Sequence, residues 1–377
     1  MDTTNQWKTP PPDHVNCAVA LLVHPEQYRH FFDWLKNPEW IAPLKEKGFF
    51  TAPPGPIEDR MRGATGFPLW PESRYLARMA NLRPKIISEI ILAIPVNHRN
   101  LRVYEDLADA ALNMPPEYAA RLAEKACLWM SFFPHPLLIE KLLPLCTRLA
   151  QAGKADAALG LAGEILEVLP GKPSKGCNDE QQLPAELRAR MDLPGYEQVL
   201  KSLCPLLLHV AGLRALELFC VKLEKALSLS VNKTDPPEPS ESSQLWRPAI
   251  EDSEQSPSQG LKNLLVTAVR DAAERLAQDD ASGIAYIIYI LEGRQWKVFH
   301  RISLHLLRRF DDAVPGLVEE RLTNRALFDD PEVRHEHILF VKRHFRKLPQ
   351  EGQKMILQWI EECPDHQYLK EVRNSCF

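Results

Sequence analysis

The chain has 377 residues, of which 45% are hydrophobic and 25% are charged, and these values are typical of a globular protein with a sizeable core. Its formal net charge of −4 excludes a general electrostatic attraction to nucleic acid or to anionic membranes, so such binding would require a local basic patch. The 32 prolines and 16 glycines favour short helices that start or stop near a proline over hairpin-rich sheets.

The first 170 residues predict an N-terminal helical domain. Pro25 fits the first helical position, and Tyr28, Phe31 and Phe32 follow at helical spacing. A loop rich in proline and glycine comes next, and helices restart at Pro71. Short amphipathic helices then follow one another closely to about Leu169, which is the pattern of an antiparallel α-solenoid.

Residues 171–260 predict irregular polar segments around one long helical hairpin at 194–230, with a kink at Pro205. A flexible acidic loop rich in proline and serine follows at 232–260. Six acidic residues and one arginine lie between Asp235 and Ser258 in this loop. Trp246 is predicted either to anchor the loop on the helices or to be exposed.

Residues 261–377 predict a second helical-repeat domain, with aspartate, serine and proline at helix starts. Helix lengths alternate as in HEAT repeats of roughly 40 residues. The predicted fold class is therefore all-α, with α-solenoid or HEAT-like antiparallel repeats in two lobes. No strand is predicted.

The cysteines and the apolar runs predict the cellular compartment of the protein. The eight cysteines include no C-x-x-C pair, which favours reduced, mostly buried thiols in a cytoplasmic protein. The N-terminus has no basic region of a signal peptide, and no segment reaches the roughly 18 apolar residues of a membrane span. We therefore expect a protein without a membrane partner.

The sequence contains no phosphate-binding loop, dinucleotide fingerprint or G-x-S-x-G nucleophile motif. We therefore predict no enzymatic activity and no cofactor. A hydrolase whose cysteine and histidine meet only in space stays open as an alternative, because such partners need no sequence proximity.

The stretch RHEHILFVKRHFRKLP, residues 334–349, holds three histidines and five Lys/Arg residues. His335 and His337 point to nearly opposite sides of a helix. His337 and His344 share a face but lie about 10 Å apart along the axis, so they cannot bind one ion. His300 and His305, five residues apart, also fit poorly, and no metal site is predicted.

The same stretch predicts a basic face on an amphipathic helix. Ile338, Val341, Phe345 and Leu348 form its apolar stripe, while the polar sides carry the candidate partner-binding residues Lys342, Arg343 and Arg346. In the predicted helix WKVFHRISLHLLRRF, residues 296–310, an apolar stripe leaves three residues facing outwards: Arg301, His305 and Arg308. Residues 296–377 contain fourteen Lys/Arg against thirteen Asp/Glu, so an ordinary solvated face competes with a patch for nucleic acid or an acidic partner.

Two stretches resemble helical regions of large bacterial defence proteins. FFDWLKNPEWIAPLKEKGFFTAPPGP, followed by FPLWPESRYLARMA, is similar to helical segments of conflict-system proteins. The stretch from WKVFHRISLHLLRRF to MILQWIEECP resembles the helical-repeat regions that accompany STAND-type NTPases in antiviral defence. The chain departs from that family because it has no Walker A lysine and no effector domain, so the resemblance implies a recognition part that works beside separate proteins.

The sequence thus predicts a non-enzymatic protein-interaction scaffold, adaptor or sensor subunit in bacterial antiviral defence. A partner protein would regulate it by binding or cleaving the acidic loop. The candidate contact residues are Arg301, Arg308, Lys342, Arg343 and Arg346 for a basic surface, and Trp246 in the loop. The alternatives are a nucleic-acid-binding accessory protein that uses the basic faces, and the hydrolase.

Overall fold

A computed structural model describes residues 9–171, except 60 and 62, together with 187–230, 242–251 and 260–362. The described chain is mostly helical, which confirms the all-α class. It divides into two compact units, Met1–Glu167 and Val168–Phe377.

Ten α-helices and one short strand pair make up the described part of the first unit. The elements are α1 (Pro12–Leu21), α2 (Pro25–Trp34), α3 (Ile41–Glu46), β1 (Ile57–Asp59), β2 (Ala64–Gly66), α4 (Pro71–Met79), α5 (Pro84–Ala93), α6 (Leu101–Asn113), α7 (Pro116–Ala120), α8 (Ala123–Phe132), α9 (Pro136–Gln151) and α10 (Ala155–Ile165).

Proline sets many of these helix starts. It occupies the first turn of α1, α2, α4, α5, α7 and α9, where its missing N–H costs no intrahelical hydrogen bond. Helix α6 instead begins at Asn100, whose side chain accepts a hydrogen bond from the Arg102 amide. The core of the unit lies where α4 and α9 both pack against α6. Tyr75, Tyr104 and Leu142 are fully buried there.

The described part of the second unit has ten α-helices and one strand pair. The elements are β3 (Val168–Leu169), β4 (Arg188–Ala189), α11 (Leu193–Ala211), α12 (Leu213–Ser230), α13 (Ser243–Trp246), α14 (Leu261–Asp279), α15 (Ile284–Glu292), α16 (Lys297–Arg309), α17 (Pro315–Leu322), α18 (Arg325–Asp329), α19 (Arg334–His344) and α20 (Gln350–Glu362).

Helices α11 and α12 form the predicted hairpin, and both pack against α14. Gly212, between them, has a positive φ of 54°, which favours glycine at this turn. Helix α16 is central in the second half of the unit, because α14, α15, α17 and α19 all contact it. Nearly all of α16 is therefore buried rather than one stripe of it.

The expectation of no strands is wrong in a small way. β1 pairs antiparallel with β2, with Ile57 opposite Gly66, and β3 pairs antiparallel with β4. Each strand has only two or three residues. An alternation of apolar and polar residues cannot become visible over so short a run.

Candidate functional site

Arg301 lies at the centre of the second unit, and it is not on a basic surface as predicted. Its side chain is 0% exposed, and its guanidinium forms a two-pronged ion pair with Glu336 of α19. The Nε–Oε2 and Nη2–Oε1 distances are 2.6 and 3.0 Å. The outward orientation predicted for Arg301 is wrong because α16 is surrounded by other helices, so its polar face also becomes core.

The same guanidinium also binds residues 242–251 of the acidic loop, which consist of the short helix α13 and an irregular stretch after it and which we call the docked segment. Arg301 Nη2 donates to the carbonyl oxygens of Arg247 and Pro248 at 2.8 and 3.0 Å. Arg301 Nη1 donates to Ser243 Oγ at 3.2 Å. A single buried arginine thus joins helix α19 to the main chain of the docked segment.

Ile250 is the second point of attachment. Its amide donates to Glu336 Oε1 at 2.9 Å, and its carbonyl oxygen accepts from Arg270 Nη1 of α14 at 2.9 Å. Arg247 folds back and donates to the same carbonyl at 3.0 Å. The Ile250 side chain is 1% exposed. Both polar groups of the Ile250 main chain are therefore satisfied in a buried position, as buried backbone requires.

The docked segment fits closely against α16 and α19. A cavity of only about 10 Å³ remains between residues 249–251 and the side chains of His305, Arg308 and Leu339. This volume holds one water molecule at most.

Charged side chains bind the outer end of the docked segment. Glu251 forms an ion pair with Arg308 and lies 3.9 Å from Nδ1 of His305. His305 is buried, which contradicts its predicted outward orientation, and its Nε2 lies 2.6 Å from Glu274. Burial tends to raise the pKa of Glu274, but the hydrogen bond and charge of His305, helped by nearby arginines, lower it overall. Because Glu251 pairs with it, Arg308 is partly covered by the docked segment.

Trp246 is half-buried, and the ammonium group of Lys262 lies 4.5 Å from its ring centroid. This cation–π contact with α14 agrees with the anchoring alternative for the loop. The predicted loop at 232–260 otherwise falls on residues 232–241 and 252–259, which lie outside the described part of the chain.

The other predicted basic residues form an exposed face on α19 and the turn after it. Lys342, Arg343 and Arg346 are all exposed, as the helical wheel predicts. Arg343 lies 3.9 Å from Asp311, which also pairs with Lys347. Lys342 and Arg346 have no ion-pair partner among the described residues. Part of the charge of this face is thus neutralised, and the binding of a partner there stays a prediction.

The three histidines of residues 334–349 lie partly on the surface and partly in the core. His335 is exposed, whereas His337 and His344 are buried. The His337 ring meets Phe328 edge-on at 6.0 Å, and burial lowers the pKa of His337 to about 4. Within the described ranges, no group of three His, Cys, Asp or Glu side chains is placed to bind a metal ion.

A cleft of about 450 Å³ lies between α11 and α14, and the sequence analysis did not predict it. Its walls come from one stripe of each helix: Glu197, Leu200, Lys201, Cys204, Pro205, Leu208 and His209 on α11, and Leu264, Thr267, Ala268, Asp271, Arg275 and Asp279 on α14. Burial and the nearby charge of Asp271 raise the pKa of Cys204 to about 12. The thiol is therefore protonated at neutral pH, which is unfavourable for a cysteine nucleophile.

Sequence reasoning also missed Glu336, Arg270, Arg247 and Ile250. The available signal was Arg-Pro-Ala-Ile, residues 247–250, which interrupts an acidic loop with one arginine and one aliphatic residue. The acidic residues on both sides of these four residues instead favoured the prediction of a flexible loop. Glu336, on the polar side of its helix wheel, had no sequence feature that would indicate a buried partner.

The fold and the site define an all-α protein whose second unit binds a segment of its own chain. Comparison with protein-family models, with curated proteins and with solved structures finds no match. In the described residues, no helix combines the length and the apolarity that crossing a membrane requires.

Proposed function

We propose that this protein is a non-enzymatic interaction scaffold or adaptor that binds other proteins through its helical surfaces. The observation that supports this most strongly is the docked segment. The helices of the second unit bind ten residues of chain through main-chain hydrogen bonds and one buried aliphatic side chain. Peptide recognition between proteins uses the same combination of contacts.

Our proposal extends the sequence resemblance to regions that accompany STAND-type NTPases: the protein would be the sensor or docking subunit of a cytoplasmic antiviral-defence system in bacteria. In this proposal the helices of each unit are degenerate HEAT-like repeats that form two lobes. A partner protein binds or cleaves the acidic loop and so changes which surfaces are accessible.

The exposed basic face is the proposed contact surface for an acidic partner. Affinity purification of the tagged chain from its native cells, with and without nuclease, tests this. We expect a protein partner that survives nuclease treatment and is lost from the triple variant Lys342→Glu, Arg343→Glu, Arg346→Glu. The matched control reverses three exposed charges of the first unit: Lys47→Glu, Lys85→Glu and Arg121→Glu. Equal recovery of the partner by both triple variants would exclude the basic face.

A nucleic-acid-binding accessory protein is the second candidate, because Lys342 and Arg346 are exposed cations without an ion pair among the described residues. Phosphate contacts release counterions, so binding to an unrelated duplex should be strongest at low salt and weaken steeply as salt rises. No binding at low salt would eliminate this candidate. Binding that the basic-face variant abolishes would instead favour it over the acidic protein partner.

A further inference from the structure

We propose that the groove between α14, α16 and α19 is a binding site for linear peptide motifs, which the docked segment occupies in cis and a partner protein's segment occupies in trans. This inference rests on the proposed interaction function and names the chemistry of the partner: a linear segment with the pattern Pro-x-aliphatic-acidic.

The groove recognises main chain more than side chains. Arg301 binds two consecutive carbonyl oxygens, and Arg270 binds that of Ile250. Glu336 accepts the Ile250 amide. These contacts are made with main-chain groups, so they require the bent backbone course that brings two successive carbonyls to Arg301 and do not depend on particular side chains.

Three positions supply the sequence preference. Pro248 disfavours a helical conformation in the residue before it, and Arg247 lies outside the helical region at φ −133° and ψ 80°. Ile250 is fully enclosed, so the groove selects an aliphatic residue there. Glu251 meets Arg308 and His305, so the next position is acidic. By contrast, Leu245 is 77% exposed and contributes no selection.

The groove is also built to stay occupied. Without a segment, the Arg301–Glu336 pair would remain, but the donors that bind three carbonyls and Ser243 would lose their partners. A second segment with the same main-chain acceptors restores these hydrogen bonds, so exchange of one segment for another is favoured over an empty groove.

Covalent connection protects the docked segment from exchange. A tethered ligand has an effective concentration in the millimolar range, so a free peptide competes poorly with it. Cleavage of the loop on both sides removes this advantage. Ser242, at the start of the docked segment, has a positive φ of 44°, which is unfavourable for a residue other than glycine and is relieved on release.

The test uses the full chain with recognition sequences for a specific protease inserted in 231–241 and 252–259. A fluorescent peptide of residues 242–251 is titrated against cut and uncut protein, and anisotropy reports binding. We expect the cut protein to bind at least roughly tenfold more tightly than the uncut protein, since only tethering differs. The peptide variant Ile250→Asp should lose at least about tenfold in affinity on the cut protein, because a charge enters a buried site.

The matched control is the peptide variant Leu245→Asp, which changes an exposed position and should bind as the native peptide does. Equal binding of both variants would overturn the proposal. So would retention of the original segment without exchange, or loss of helical circular dichroism on cutting, since each makes the docked segment an integral part of the fold. Partner capture through the basic face by the uncut protein is unaffected by these outcomes, so the proposed function is tested separately.

Discussion

Among individual side chains, Arg301 and Glu336 form a buried ion pair. Both side chains are buried, and Arg301 also binds the docked segment. Replacement of Arg301 with methionine leaves the Glu336 carboxylate buried without its partner. We expect Arg301→Met to lower the free energy of unfolding by about 3–5 kcal/mol, measured by urea denaturation.

The control is Arg325→Met, which removes a partly exposed arginine that pairs with Asp329 and Glu362 near the surface. Exposed pairs contribute roughly 0–1 kcal/mol, so its effect should be small. The double variant Arg301→Met, Glu336→Leu should be less destabilised than the Arg301→Met variant, since no unpaired charge remains. Similar losses for Arg301→Met and Arg325→Met would contradict the buried position of the pair.

His337 makes stability depend on pH. Burial lowers the pKa of His337 from 6.5 in the unfolded chain to about 4 in the folded one. Between these values the unfolded chain binds a proton that the folded chain does not, so stability is full above pH 6.5 and falls as pH decreases towards 4. From pH 7 to pH 5, His337→Leu should lose about 2 kcal/mol less stability than the wild type.

Urea denaturation at the two pH values measures this difference. The matched control is His335→Leu, at an exposed position two residues away, which should keep the wild-type loss. An identical loss in the wild type and His337→Leu would show that His337 is not buried as a neutral imidazole.

Residue by residue, the sequence predicted exposure on α19 well and on α16 poorly. Lys342 and Arg346 are exposed because α19 has one solvated side, as its stripe indicates. Arg301 and His305 also lie on the polar side of their helix, away from its apolar stripe. Neighbouring helices and the docked segment nevertheless cover them. Periodicity shows which face is apolar, and it does not show whether the polar face will also be covered.

At element scale, the start of α6 is fixed by one buried side chain. Asn100 accepts a hydrogen bond from the Arg102 amide, and its amide nitrogen donates to the carbonyl oxygens of Pro54 and Pro68 at 3.0 and 2.8 Å. Asn100→Ala removes a helix cap and leaves two carbonyls without a donor. We expect a loss of about 2–4 kcal/mol in the free energy of unfolding, measured by urea denaturation.

Asn324→Ala is the comparison, because Asn324 caps α18 without such long-range bonds and should cost only about 1 kcal/mol. Equal costs at the two caps would mean that the main chain at Pro54 and Pro68 is not held against α6 by Asn100.

The elements themselves were largely predictable, since proline marks a helix start by a local steric rule. Pro25 and Pro71 begin α2 and α4 where the sequence places them. The docked segment was not predictable in the same way. Its short helix, Ser243–Trp246, and the irregular residues after it are held by Arg301 and Glu336, which lie more than fifty residues further along the chain.

At the scale of the whole molecule, each unit has its own buried core. In the first unit, Met1–Glu167, the side chains of Tyr75, Tyr104 and Trp129 are fully buried. We expect the fragment 1–167 to fold when expressed alone, with helical circular dichroism and one cooperative urea transition. A gradual, non-cooperative transition would show that its core is incomplete.

The candidate site follows from long-range packing and not from any motif. Composition excluded a strongly basic protein, and the histidine spacing excluded a shared metal ion on α19. The groove forms only when three helices and a loop pack together, and no local sequence pattern predicts packing between such distant elements.

Hydrogen exchange at the Ile250 amide shows directly whether the docked segment occupies its groove in solution. This amide donates to buried Glu336 only when the segment is bound. We predict that it exchanges at least about 1000-fold more slowly than in a free peptide, which corresponds to an opening free energy of roughly 4 kcal/mol. Exchange at the rate of an unstructured peptide would contradict the account, since the groove would then be empty in solution.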